Sequence, residues 1–352
     1  MQNDFKGYHE LLVAYSPLEW VKIVEGPWWS LYANPMAIPY IDNDEFINLR
    51  YLRHACSNTN AIPLIKRYIT HFSDNDWFEI IKNPNATEII EEKLNNIDKN
   101  STIFINYLEE LVHNKSHKVI PIIKNHINKI SDKAMSFLFA NPNALDIIQD
   151  NLDKLKIHYL FNHNLCANPK AMHLINHNFI DWCGIARNTN LEAIKLIEDN
   201  FSKITEHLNN YELRIYNIYP LYIRDFWKCL CTNPNAIHIL EKNTHKFGYE
   251  EWININANPN GISILEKHPD KINWEVLSLN PNAIPILEKN QDKIYWHRLL
   301  QNPSIFKINY SRLKENMRST IAEELIAVTW HPNRFKDWCL DNEEKKFFSL
   351  KN

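Results

Sequence analysis

Two neighbouring stretches decide the fold: INANPNGISILEKHPDKINW, Ile255–Trp274, and LSLNPNAIPILEKNQDKIYW, Leu277–Trp296. They align without a gap at a spacing of 22 residues, and the apolar positions recur in phase with the Asn-Pro-Asn tripeptide. With the first residue of the tripeptide as anchor, the same frame runs outward through Asn34, Asn58, Asn83, Asn141, Asn168, Asn188, Asn233, Asn258, Asn280 and Asn302. Ser116 and His331 fit as weaker anchors. Most intervals lie between 20 and 33 residues; one, from Asn188 to Asn233, is 45. A segment LNNYELRIY at Asn209 would divide that interval in two, which predicts 12 or 13 units. Self-similarity at such a period is the signature of a repeat architecture.

Tryptophan shares the period. Trp28, Trp77, Trp182, Trp227, Trp252, Trp274 and Trp296 each lie six residues before an anchor, seven of the chain's 11 tryptophans. A ring of that size at a constant phase, beside apolar neighbours such as Leu277 and Leu299, is expected to fill an equivalent core slot in each unit, burying roughly 150–250 Å². Cys56, Cys166 and Cys231 fall two residues before their anchors, a phase shared with Ala186 and Ser278, so that slot selects a small side chain.

Within a unit the pattern predicts two short helices. Pro39, Pro63, Pro121 and Pro285 follow the anchors closely, and a proline in a helix interior costs a hydrogen bond and a clash. Placing the N-cap on the second Asn of the tripeptide (Asn60, Asn85, Asn143, Asn190, Asn235, Asn260, Asn282) resolves this, with Pro285 at the third helical position. The first helix then runs to about Lys289 with Ala283, Ile284 and Leu287 inward. Asp270 or Asp292 is expected to cap a second helix carrying Ile272 or Ile294 and the tryptophan. Neither helix reaches the ~12–15 residues that are already marginal alone in water, so each must be stabilised by stacking.

The expected fold is all-α: an α-solenoid of about 12–13 helix-turn-helix repeats, extending on the order of 100 Å at interaxial distances of ~8–10 Å. Residues 1–33 read as an N-terminal capping segment, 34–303 as the repeats and 304–352 as C-terminal capping helices, in one continuous domain.

Composition limits the function. The chain has 352 residues, 47 of them Asn and only 5 Gly, with 39 Lys+Arg against 42 Asp+Glu. The glycines are far apart, so no dinucleotide-binding loop, phosphate-binding loop or nucleophile elbow can be written. A formal charge of −3 argues against a dominant electrostatic role on nucleic acid or anionic lipid. No run approaches the ~18 apolar residues of a membrane span. The start lacks a basic region followed by an apolar one, and six cysteines in a chain this long do not make a disulfide scaffold, so a reducing, soluble compartment is expected.

The pattern from Asn258 to Pro303 resembles the Asn-Pro-Asn helical-repeat proteins of nucleocytoplasmic large DNA viruses, the giant viruses. The ending from Glu323 to Phe335, EELI…HPNRF, is similar to the terminal segment of those proteins. The spacing also resembles, more loosely, leucine-rich variant repeats, although the cysteine cluster that accompanies an iron–sulfur module in that group is missing. The resemblance implies a helical repeat fold and a viral setting, in host cytoplasm, viral factory or virion. It implies no catalytic residue.

No catalytic, cofactor or metal set emerges. Cys229 and Cys231 with His238 lack the spacing of a zinc site. Asp42, Asp44 and Glu45, like Asp74 and Asp76, do not continue into a calcium loop and fit turns and caps. The phase five residues after the anchor accepts Glu88, Asp146, His173, His238 and Ser263, and such variability marks an exposed face where partner specificity can reside. The reading is a non-enzymatic protein–protein interaction scaffold with a viral or host protein partner. One alternative is a nucleic-acid-binding helical repeat, which the local pairing of Glu241, Glu266 and Glu288 with Lys242, Lys267 and Lys289 opposes; the other is an adaptor subunit of an enzyme such as a ubiquitin ligase.

Overall fold

A computed structural model describes residues 15–21, 27–41, 47–156, 159–176, 180–209, 225–311 and 314. The chain is mostly helical, as expected, and its helices are short: among the described residues the longest is Thr102–Leu111 at ten residues. Units with the sequence NPNAIPILEK fold as anticipated in outline. Ile284–Lys289 forms an α-helix, Gln291–Lys293 a 3-10 turn and Trp296–Leu299 a second α-helix. Ala283 and Leu287 are fully buried. One contiguous apolar cluster runs through all the units, from Val21 to Phe306.

What joins the units is a ladder of buried asparagines. The side-chain amide of Asn83 donates to the carbonyls of Cys56 and Asn58 in the preceding unit, at 3.0 and 2.9 Å. Asn280 donates in the same way to Asn256 and Asn258, and Asn302 to Ser278 and Asn280. Each carboxamide oxygen accepts from the backbone N–H two residues on, as in Asn282 N–H to Asn280 Oδ1 at 3.0 Å. The anchor thus closes its own turn and satisfies carbonyls that the ends of the previous unit's helix leave over. Proline at the next position sacrifices nothing, because the turn requires no donor there.

Two expectations about the units are corrected by this ladder. Ser116 is not an anchor: Asn114, two residues earlier, donates to Ile81 and Asn83 and receives the bond from Asn141. The 45-residue interval is a single step. Asn233 donates directly to Ala186 and Asn188, at 2.9 and 2.8 Å, so these anchors are neighbours in the ladder; the side chains of LNNYELRIY lie outside the described residues. The ladder therefore has eleven anchors among the described residues; His331 lies outside them.

The third correction concerns the ends. Asn34, in the first described unit, donates to the carbonyls of Leu300 and Asn302 in the last described one, at 2.9 and 2.8 Å. These are the carbonyls of the neighbouring anchor and of the residue two before it, the pair that most rungs use; Asn58 donates to Tyr32 alone and Asn141 to Asn114 alone. The circuit closes on itself, and the extended open stack of about 100 Å is replaced by a ring of repeats. Strand β1 (Tyr15–Pro17) reinforces the seam by pairing antiparallel with β2 (Phe306–Ile308), in register Tyr15 with Ile308 and Pro17 with Phe306. Leu18 N–H also donates to Ile305 at 2.8 Å. The described parts of the two terminal segments meet each other instead of capping separate ends.

Caps differ from expectation in detail. The α-helices after the tripeptides begin one residue later than predicted, with Ala61, Ala86, Ala144, Ala236 and Ala283 at the N-cap, and Pro285 within the first two helical positions. Of the second-position asparagines only Asn190 caps a helix, accepting from Glu192 N–H at 2.9 Å. The second helix of the 258 unit is capped by Asn273, not by Asp270, which instead pairs with Lys271. The 296 helix has no side-chain cap, so Asp292 does not serve there either.

Candidate docking groove

Because the anchors close turns at equivalent places, the tripeptides and the first residues of the following helices line up side by side. Across the units of Asn34, Asn58, Asn83, Asn114 and Asn141 they bound a concave space of about 950 Å³, with Tyr15 of β1 at one side. Its floor is apolar, formed by Met36, Ile38, Ile62 and the prolines Pro35, Pro39, Pro63 and Pro84.

A row of carboxamides crosses this floor. Asn60, Asn85 and Asn143 each donate one amide hydrogen to the preceding unit, at the carbonyls of Pro35, Thr59 and Lys115, all at 2.9 Å. That bond explains why these residues do not cap helices: the side chain is turned toward its neighbour. Among the described residues their carboxamide oxygens accept no hydrogen bond, so three of the five units each offer the groove an acceptor held in a fixed orientation, while Met36 and Ser116 stand at the same position in the other two.

The charge of the groove is uneven. Lys115, His117 and Lys118 come from one turn, and Glu88 is the single carboxylate lining the space. Glu88 is already engaged by Lys66 of the preceding unit at 2.8 Å, a pairing that holds its carboxyl below the usual range. The cations of the Lys115–Lys118 turn are thus left in excess.

Of the five residues expected to mark a binding face, all are exposed. Only Glu88 lines the groove; Asp146, His173, His238 and Ser263 do not. His238 faces Glu198 at 2.8 Å and Ser263 donates to Glu241 at 3.0 Å, so this phase chiefly makes surface links between units. The groove-forming residues that sequence reasoning assigned to capping, Asn60, Asn85 and Asn143, carried a usable signal: a second Asn at constant phase, beyond what one cap per helix needs.

The tryptophan slot is filled unevenly. Trp77, Trp227 and Trp252 are buried, whereas Trp182, Trp274 and Trp296 are half-buried against the core. Trp28 begins a 3-10 helix, and its side chain lies outside the described ones. The small-residue slot holds Cys56, Cys166, Ala186, Cys231 and Ser278, all fully buried, and burial pushes the Cys56 and Cys166 thiols up to about 12.

The acidic pairs serve structure. Asp76 and Ser73 form a reciprocal cap, and Asp74 accepts from the Tyr107 hydroxyl at 3.1 Å. Asp42, Asp44 and Glu45 lie outside the described residues. Among the described residues no three His, Cys, Asp or Glu side chains converge as metal ligands, and no helix is long and apolar enough to cross a membrane.

Fold and groove together define an all-helical repeat protein whose units are tied by asparagine. No family model matches the chain, and neither does any curated protein or solved structure.

Proposed function

We propose that this protein is a non-enzymatic docking platform for another protein, with the groove of the first five units as its contact face. The partner is an extended polypeptide segment carrying acidic side chains. The observation that carries this reading is the row of unpaired carboxamide oxygens of Asn60, Asn85 and Asn143 beside an apolar floor. Acceptors fixed in three of the five groove repeats suit the N–H groups of a chain in extended conformation, whose outward groups otherwise have no partner. Lys115 and Lys118 supply the complementary charge, which contributes to association rate and specificity more than to raw affinity. The resemblance to giant-virus repeat proteins makes a viral or host protein in infected cells the natural source of the partner.

The test is affinity capture from infected cells with the wild-type chain and with a Lys115→Glu, Lys118→Glu double variant, both checked by circular dichroism. A partner retained by the first and lost by the second supports the groove. A partner held equally by both places docking elsewhere, and turnover of a substrate in an activity screen, with no partner recovered, removes the platform reading.

A further inference from the structure

The second row of asparagines carries one chemical exception. Asn60, Asn85, Asn143, Asn235 and Asn282 are each followed by alanine and Asn190 by leucine, but Asn260 is followed by Gly261. No other asparagine of the chain precedes a glycine. Packing imposes the exception: Gly261 is buried, and a Cβ there would run into the carbonyl oxygen of Ile255 in the preceding helix, Tyr249–Ala257. Asn260 itself is exposed. Its side-chain amide donates to the carbonyl of Pro234 in the preceding unit at 2.9 Å, and its backbone N–H donates to Asn258 Oδ1 at 3.0 Å. The Gly261 N–H donates to the Asn258 carbonyl, also at 2.9 Å. Most first-row anchors, Asn258 among them, are followed instead by proline, whose nitrogen has no hydrogen to lose.

We propose that Asn260 is a self-modifying site, guarded by its closed turn, that converts to aspartate and isoaspartate when the 258 unit opens. The main-chain nitrogen of Gly261 loses its proton and attacks Asn260 Cγ; the Cγ–Nδ2 bond breaks, and the departing nitrogen takes up that proton and leaves as ammonia. The five-membered imide then takes up one water from solvent. Opening of the ring at Cγ gives aspartate, and opening at the main-chain carbonyl gives isoaspartate. One amide and one water give one carboxylic acid and one ammonia. Glycine favours the ring because no Cβ crowds the attacking nitrogen, as alanine and leucine do in the other units. In the closed turn both reacting groups are held, the nucleophile by the Asn258 carbonyl and the leaving group by that of Pro234. Reaction therefore proceeds from a locally opened state. The product cannot restore the tie. A carboxylate facing the Pro234 carbonyl has no hydrogen to donate, and isoaspartate adds a main-chain carbon inside the turn that sets the Asn258 and Asn280 rungs. A chain whose 258 unit has opened is thereby marked, and it reopens more readily.

The experiment incubates the full chain in mildly alkaline buffer, with and without urea, and follows tryptic peptides by mass spectrometry. The expected conversion falls in peptide 247–267, with fragment ions placing it on Asn260 rather than on Asn254, Asn256 or Asn258, and isoaspartyl methyltransferase labels the product. The native chain converts roughly tenfold or more slowly than the chain in urea. Asn260→Gln, which would have to close a six-membered ring, stays unmodified in both. Asn260→Asp, standing in for the product, lowers Tm. Equal rates with and without urea overturn the proposal, because the turn then guards nothing. Conversion of another asparagine ahead of Asn260 overturns it too, as does an Asn260→Asp chain that melts with the wild type. The wild-type peptide map decides the site and its guarding even where a variant fails to fold.

Discussion

The units from Asn258 to Asn302 and the step from Asn188 to Asn233 make opposite use of the chain. In the first, each rung is reached after 22 residues through helices of four to six residues. In the second, the chain travels 45 residues and includes two nine-residue helices, Leu191–Asp199 and Phe201–Asn209, before returning. The hydrogen bonds at the two places are indistinguishable, 2.9 and 2.8 Å in the long step against 2.9 and 2.9 Å at Asn280. The ladder is therefore what the architecture conserves internally, and the length of chain between rungs is free to vary on the outside.

That contrast can be broken most forcefully at the tryptophans. Trp227, at the end of the long step, is 9% exposed and packs against Phe226, Phe247 and Phe201, the last contributed by the added helix. Trp274 in the regular region is half-buried under Lys293, whose Nζ lies 4.9 Å from its ring centroid. Trp227→Ala is expected to cost about 3–5 kcal/mol and Trp274→Ala about 1–2 kcal/mol in urea unfolding. Equal losses would mean that the added helix does not seal its neighbour.

The rungs come next. Asn233→Ala and Asn280→Ala each strand two buried carbonyls and are expected to cost a similar ~2–3 kcal/mol. A loss at Asn233 less than half of that at Asn280 would show the long step to be slack. Loop insertion sharpens the point with a smaller effect: four Gly/Ser residues after Asn290 should cost under ~1 kcal/mol, because closure entropy grows slowly with length. The same insertion after Pro281 moves a rung and should unfold the unit, which limited proteolysis would reveal.

The smallest expected effect is one of pH, centred on units before the long step. Burial holds His54, His113 and His126 below the free value of 6.5, with nearby cations Arg53, Lys82, Lys99 and Lys129 adding to it. A base whose value falls on folding contributes stability that is complete above its free value and lost as pH drops below it. Tm should thus be lower at about pH 5.5 than at about pH 7.5, and His113→Gln should flatten the difference. The carboxylates of Glu88 and Glu241, lowered by Lys66 and Lys267, respond only in a more acidic window.

Much of this was legible in the sequence. The all-helical class and the buried cysteine slot follow from periodicity, whereas among the described side chains the tryptophan phase is buried at Trp77, Trp227 and Trp252 and half-exposed at Trp182, Trp274 and Trp296. The ladder's asparagines are visible in the sequence as the recurring anchors, but their partners are not, because a side chain that accepts from the backbone two residues on looks the same whether its amide faces water or a neighbouring carbonyl. Asn114 is hard to see as an anchor because its tripeptide, Asn-Lys-Ser, lacks both the proline and the second asparagine. Closure of the circuit had no local sign: Asn34 is an ordinary anchor, and only the placement of Leu300 and Asn302 shows where its amide goes. The groove was out of reach for a related reason, as which tripeptides share a concave side depends on curvature accumulated over several units. Glu88 reached it, and Asp146, at the same phase, did not.

The meeting of Asn34 with Asn302 has a consequence for how such a protein can change over generations. An open pile tolerates gain or loss of a copy at its end, and the tally drifts. Here the tilt between neighbours multiplied by the tally must return to the starting point, so a lone duplication would leave either a gap or a collision. Growth is channelled sideways into longer detours between asparagines, which is what the passage from Asn188 to Asn233 looks like.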